Sequence, residues 1–120
     1  MKKFKIVADK RWQIVSEEKD SWRIGIYRPE FNCVSDIDVL EKHSCLEFFA
    51  CVEGRMGILI YDGSSETEVI LEPGDAITIS DYHNSFCLSD KGYFIVTEKT
   101  SFTTDFIDRK SKKFLRTVSE

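Results

Sequence analysis

The amino-acid sequence predicts an all-β domain, an antiparallel sandwich or barrel, from its composition and from the spacing of its turns. Ile, Val and Thr number 27, whereas Ala and Leu together number nine. This composition favours sheets, because β-branched side chains are stiff and fit pleated surfaces better than helices. Turn signals recur at short intervals, at 61–64, 72–75 and 89–92. Short strands separated by such turns are typical of sandwiches and barrels.

The turns divide the chain into a series of short strands. Asp62-Gly63 lies between two apolar runs and is a strong hairpin signal. Pro73-Gly74 supplies the residues that a type II turn requires at its two central positions. The predicted strands are 5–7, 13–16, 22–27, 36–40, 47–53, 56–61, 68–71, 76–80, 85–88 and 93–98. After residue 100, spaced apolar residues in a basic background predict one short terminal helix, with Thr103 or Thr104 as its N-cap.

Length indicates a single domain, and charge and cysteine spacing exclude some classes of protein. The 120 residues predict a single unit, 1–120, with N-terminal strands at 3–40, a central region at 41–98 and a tail at 101–120. The net charge of −4 argues against nucleic acid as a partner. We expect no membrane span and no signal peptide, because no apolar run is long enough. The four cysteines form no Cys-x-x-Cys pair, which predicts free thiols and a cytoplasmic protein.

The segment 41–54 carries side chains suited to a metal ion. If it is one strand, alternate residues share a face, and that face carries Glu41, His43, Cys45 and Glu47 before it turns apolar. Imidazole and carboxylate groups are ordinary ligands of divalent transition metals. The opposite face is also apolar, with Leu46, Phe48 and Val52. A strand that is apolar on both faces predicts a second layer over it, which we expect to be a second copy in a homodimer formed through this face or through the N-terminal strands.

Two motifs in this region resemble those of the cupins. The first cupin motif reads G-x5-H-x-H-x3-4-E-x6-G, and His43-x3-Glu47-x6-Gly54 matches its second His, its Glu and its last Gly. The second motif has a Pro-Gly-Asp turn, a strand and a His, and Pro73-Gly74-Asp75 followed by His83 is similar to it. The resemblance implies a cupin-type double-stranded β-helix, with a pocket between two sheets. It also implies His43, Glu47 and His83 as ligands of Fe, Mn, Ni or Zn.

The chain departs from the cupin pattern at two places. Glu41 stands where the first motif has its first His, so it is either a substitute ligand or a catalytic general base. His83 lies nine residues after Gly74, whereas the family usually has about eleven. Cys45, Tyr82 and Asn84 are candidates for the substrate pocket. Cys45 and Cys87 leave open a zinc site that includes a thiolate.

Three functions follow from these residues and from the resemblance. The first is a metal-dependent enzyme of the dioxygenase, isomerase or epimerase class, acting on a small molecule. The second is a metal-free sugar or sugar-nucleotide isomerase or epimerase, since residues 104–107 and Phe114 faintly resemble the end of such cupins. The third is a binding module for a small metabolite without catalysis. The cupin fold supports all three, so the fold alone does not select among them.

Overall fold

Eleven strands form two antiparallel sheets in the computed structural model, which describes residues 1–119. The strands are β1 (Trp12–Glu17), β2 (Trp22–Tyr27), β3 (Val39–His43), β4 (Glu47–Glu53), β5 (Met56–Tyr61), β6 (Glu66–Leu71), β7 (Ala76–Ile79), β8 (Tyr82–Cys87), β9 (Tyr93–Lys99), β10 (Thr103–Asp108) and β11 (Phe114–Ser119). One sheet has the order β1-β2-β9-β4-β7, and the other has β11-β10-β3-β8-β5-β6. The predicted all-β class is confirmed.

The predicted turns place the strands. Asp62 Oδ1 accepts hydrogen bonds from the backbone amides of Ser64 and Ser65, and Gly63 has φ +100°. At the second turn, the amide of Asp75 donates to Glu72 O and Gly74 has φ +99°, a conformation that glycine adopts without strain. The first turn sets the register of β5 on β6. The second turn places β7 beside β4 at the edge of the five-stranded sheet.

The structure corrects two predictions at the ends of the chain. Residues 103–119 form β10 and β11 instead of a terminal helix. Pairing explains this result, because β10 lies between β3 and β11, where its amides and carbonyls find partners on both sides. At the other end, residues 5–7 form no strand. Within the described residues, no helix is long and apolar enough to cross a membrane.

Two apolar cores lie on opposite faces of the six-stranded sheet. The first fills the space between the sheets and contains Phe49, Cys51, Met56, Ile58, Leu71, Ile79, Cys87, Phe94 and Val96. The second contains Ile37, Leu40, Leu59, Phe86 and Ile107, with Phe31 and Val34 packed against it. Alternation along β5 and β8 sends neighbouring side chains to different cores, as with Ile58 and Leu59. The segment between β2 and β3, with a 3-10 helix at Val34–Asp36, therefore covers the outer face of this sheet.

Arg109 fastens that covering segment to the sheet. Its Nη1 donates to Val34 O and Ile37 O at 2.6 and 3.0 Å, and its Nε and Nη2 contact the Glu66 carboxylate at 3.2 Å. We expect Arg109→Met to lower the free energy of unfolding by about 1–3 kcal/mol, since it leaves two backbone acceptors without this donor. Urea denaturation measures the change. The exposed neighbour Lys110→Met is the control, with an expected change within about 0.5 kcal/mol. Equal losses in both variants would contradict this role for Arg109.

Candidate metal centre

The two sheets bring His43, Glu47 and His83 together at one end of the space between them. The chain from residue 41 to 53 is not one continuous strand, because β3 ends at His43 and β4 begins at Glu47. His43 therefore belongs to the six-stranded sheet, and Glu47 belongs to the five-stranded sheet. The predicted shared face is wrong across residues 44–46, where the chain crosses between the sheets. The inward faces of the two strands oppose each other, so their side chains converge.

The Glu47 carboxylate lies between two imidazoles. Its Oε1 is 2.9 Å from Nε2 of His43 and 2.9 Å from Nε2 of His83. Glu41 pairs directly with His83 across β3 and β8, and its Oε1 is 3.6 Å from His43 Nε2. Ligand atoms of Glu41, His43 and His83 all lie within 4.8 Å of one another. Glu47 is thus close to both histidines, and Glu41 is close to His43.

The distances in the cluster fit a shared proton or a shared metal ion. Glu47 Oε1 and His83 Nε2 are buried and lie only 2.9 Å apart, with no hydrogen-bond partner outside the cluster. Buried polar atoms need partners, so these two atoms depend on a proton or an ion between them. Donor atoms about 2.0–2.2 Å from one ion and at right angles to each other would lie about 3 Å apart. The spacing of these three side chains therefore fits a divalent ion.

Further hydrogen bonds fix both imidazole rings. His83 Nδ1 donates to the backbone carbonyl of Asp81 at 2.9 Å, so the neutral ring would carry its lone pair on Nε2, the atom that lies beside Glu47. His43 Nδ1 is 2.7 Å from Thr104 Oγ1. The rings also pack on aromatic side chains, His43 against Phe102 and His83 against Phe49. This support is typical of histidines that bind a metal.

The charges of the cluster shift its ionisation. Burial lowers the pKa of His43, but the carboxylates of Glu41 and Glu47 outweigh this effect and raise its pKa to about 10. The pKa of His83 is also raised, because contact with Glu47 outweighs burial. Burial would raise the pKa of Glu47, yet the two histidines hold it well below its usual range. The metal-free cluster is thus an ion triad, and a metal ion would displace the protons of both rings.

A cavity of about 290 Å³ opens onto this cluster. Its wall contains the four residues of the cluster and, beside them, Arg11, Trp12, Arg23, Tyr27, Phe49, Asn84, Ser85, Val96, Glu98 and Phe102. This volume suits a small molecule, since ligand pockets typically measure about 300–1,000 Å³. Burial, followed by the charge of Glu41, raises the pKa of Tyr27, so its phenol stays protonated. The cavity combines aromatic walls with acidic and basic groups.

The predicted pocket residues have different positions. Cys45 is buried but does not line the cavity, because it lies in the crossing between β3 and β4. Tyr82 packs against the second core on the outer face of the sheet. Asn84 is at the cavity wall, although its side-chain amide donates to Val39 O and its Oδ1 accepts from the amide of Ser85. Cys87 lies in the first core, so neither cysteine accompanies the histidines.

Sequence reasoning missed several residues of this site. Arg23, Glu98 and Thr104 all face the space between the sheets, yet none belongs to the quoted motifs. The alternation of β9 contained a signal, because Glu98 continues the inward series of Phe94 and Val96. A carboxylate at the next inward position of a buried strand face indicates a functional site or a compensated charge.

Known proteins resemble this chain in structure but not in sequence. Neither a protein-family model nor a curated protein matches the chain. A cupin-2 domain protein from Shewanella frigidimarina NCIMB 400 superposes with TM-score 0.56 at 18% identity, over 73% of this chain and 78% of that protein. The chain has the cupin fold. The resemblance seen in the two motifs is thereby confirmed at the level of the fold.

Two further cupin proteins, one of them in two metal forms, are similar to this chain. KdgF from Halomonas sp. matches with TM-score 0.56 and 15% identity, over 73% of this chain and 77% of its own. The iron(II) form of HppE matches with TM-score 0.60 and 15% identity, over 73% of this chain but only 48% of HppE. A cobalt(II) form of HppE in complex with substrate also matches, with TM-score 0.56 and 14% identity. The cupin fold thus includes proteins that hold a divalent metal and a small molecule.

Proposed function

We propose that this cupin-fold protein binds a divalent transition metal through His43, Glu47 and His83 and acts on a small molecule in the adjoining cavity. One observation carries the proposal: the buried Glu47 Oε1 lies 2.9 Å from an imidazole nitrogen of His43 and from one of His83, and it has no hydrogen-bond partner outside the cluster. Two histidines and a carboxylate suit Fe(II), Mn(II), Ni(II) or Zn(II). The iron(II) and cobalt(II) forms of HppE support this choice of metal class.

The residues around the ligands have separate tasks in this proposal. When bound, a divalent ion supplies Lewis-acid polarisation of a substrate oxygen. Glu41 lies at the cavity wall, half-exposed and 3.6 Å from His43, and we assign it either the fourth ligand position or proton removal from the substrate. Trp12, Tyr27 and Phe102 form the apolar wall against which the substrate would pack. Thr104 and the Asp81 carbonyl hold the imidazoles in place.

Metal content is the direct test of the proposal. We expect about one equivalent of a divalent metal in protein purified without added metal, or after reconstitution of the apoprotein, as measured by elemental analysis. His43→Ala should reduce this content to a small fraction, because it removes one of three ligands. Substoichiometric metal that does not rise on reconstitution, and that is the same in His43→Ala, would contradict the proposal. It would favour metal-free isomerase or epimerase activity.

Catalysis needs a separate measurement. Thermal-shift screening of the metal-loaded protein with small organic acids, sugars and sugar nucleotides identifies compounds that bind in the cavity. We then expect product to form from at least one of these compounds, and Glu41→Gln to lower its rate by about 10²–10⁴-fold. Binding without turnover across the compounds that stabilise the protein would favour the non-catalytic binding module.

The homodimer and the cytoplasmic location stay predictions. Leu46, Phe48 and Val52 are exposed by 59%, 39% and 38%, so the surface that the sequence indicates is accessible in the single chain. We expect the mass of a dimer in solution, measured by light scattering at micromolar concentrations. Phe48→Lys should convert it to a monomer, because a charge at a buried apolar contact is costly. A monomer mass for the unsubstituted protein would contradict this prediction.

A further inference from the structure

Three charged side chains form one row across the inner face of the five-stranded sheet. Arg23 on β2 pairs in register with Glu98 on β9. Phe48 of β4 pairs with Thr97 of β9, so the next position in the same register sets Glu47 opposite Glu98. The row therefore runs Arg23, Glu98, Glu47, and all three residues line the cavity. It ends at the carboxylate that lies between the two histidines.

Such a row is costly unless its members are held in place. Two carboxyl groups that face each other across strands repel, and the cost increases with burial. Arg23 compensates for it with Nε and Nη2, which donate to Glu98 Oε2 at 2.9 and 2.5 Å. The side chains of Arg23 and Glu98 are only 13% and 4% exposed. The rings of Trp12 and Phe102 flank the guanidinium, with centroids at 5.7 and 5.2 Å.

The Glu98 carboxyl lies between Arg23 and Glu47. The two carboxyl groups lie within hydrogen-bonding reach of each other. Glu98 therefore contacts Arg23 on one side and Glu47 on the other. Glu47 is thus held from the side away from the histidines.

We propose that Arg23 and Glu98 are positioning residues for Glu47, which keep its Oε1 directed at the Nε2 atoms of His43 and His83. The inference rests on the proposed function in so far as Glu47 is a metal ligand. Residues that contact a metal ligand and orient it commonly contribute about 10–100-fold to metal affinity. Arg23 and Glu98 would have this effect through their contacts with each other and with Glu47 within one sheet.

The test uses three variants of the full chain and Co(II) as the probe. Glu98→Gln offers a donor to Glu47 and keeps an acceptor for Arg23, so we expect its Co(II) affinity and absorption spectrum to stay close to those of the unsubstituted protein. Glu98→Leu removes both and should weaken Co(II) binding by about 10–100-fold. Because Glu98→Leu also leaves the Arg23 charge buried without this partner, the double variant Arg23→Met/Glu98→Leu removes the whole pair.

The double variant separates positioning from stability. Replacing a buried ion pair by apolar side chains of similar size is often neutral for folding, so its melting temperature should be retained. We expect its Co(II) affinity to fall by about 10–100-fold and its spectrum to change. Unchanged affinity and spectrum in the double variant would overturn the proposal, as would Glu98→Gln behaving like Glu98→Leu.

A metal-free measurement keeps this inference distinct from the proposed function. Failure of the unsubstituted protein to bind Co(II) would refute the metal site itself. In that case, crystal structures of the metal-free proteins still test the row. We expect Glu47 Oε1 to stay about 2.9 Å from His83 Nε2 in Glu98→Gln and to move away by more than about 1 Å in the double variant. An unmoved Glu47 in the double variant would overturn the positioning role.

Discussion

His83→Ala is expected to lower the affinity for Zn(II) or Co(II) by more than about 100-fold. Residues that only hydrogen-bond to a metal ligand already contribute up to about 100-fold to metal affinity, and a ligand itself should contribute more. The physical reason is that the Asp81 carbonyl fixes the proton on Nδ1, which reserves Nε2 for the ion, and Glu47 and His43 alone leave coordination incomplete. Competition with a chromophoric chelator measures the affinity at constant pH. An affinity within about threefold of the unsubstituted protein would contradict the assignment of His83.

Two control variants distinguish this site from the alternatives. Tyr82→Phe changes the residue next to His83 in the sequence. The ring of Tyr82 packs on the outer face of the sheet, so metal affinity should not change. Cys45→Ser tests the zinc site with a thiolate ligand, and it should also leave affinity unchanged, because Cys45 does not line the cavity. A loss of Zn(II) affinity in Cys45→Ser that matches the loss in His83→Ala would place the thiolate in the site.

The sequence predicts the strands well wherever a turn residue marks their ends. The strands 22–27, 47–53 and 56–61 coincide with β2, β4 and β5, because alternating or continuous apolar residues stop at Asp, Gly or polar pairs. The terminal helix is wrong for a physical reason. Spaced apolar residues around Phe106 and Phe114 suit either element, and what decides is the pairing of β10 with β3, which joins residues far apart in the chain.

The candidate ligands were predictable, whereas the way these side chains come together was not. His43, Glu47 and His83 follow from the two motifs, and the structure places all three at one point. A strand face continuous from Glu41 to Glu47 was wrong, because no local signal shows that the chain crosses between sheets at residues 44–46. The partners of the ligands lie far away in sequence: Thr104 is 61 residues from His43. Such contacts depend on the strand order, which spacing within a motif does not contain.

Phe94→Ala is expected to have the largest effect on stability, with a loss of about 3–5 kcal/mol in the free energy of unfolding. Phe94 is fully buried at the centre of the first core, where its ring stacks on Tyr27 and meets the edge of Phe49 at centroid distances of 6.2 and 5.3 Å. Removing it deletes apolar contacts and leaves a cavity that rigid strands on both sides cannot fill. Urea denaturation of the metal-free protein measures the loss without a contribution from metal binding.

Phe114→Ala is the matched control, because Phe114 is 61% exposed on the edge strand β11 and the same atoms are removed. Its expected cost is within about 0.5 kcal/mol.

Phe94→Leu separates the two causes of the loss in Phe94→Ala. It keeps most of the apolar volume but removes the ring from Tyr27 and Phe49, so it should cost roughly half as much. Similar losses for Phe94→Ala and Phe114→Ala would mean that the space between the sheets is not the main core. Tyr27 packs on Phe94 and also lines the cavity, so the core and the candidate metal centre share this residue. Phe94→Ala should therefore also loosen the cavity.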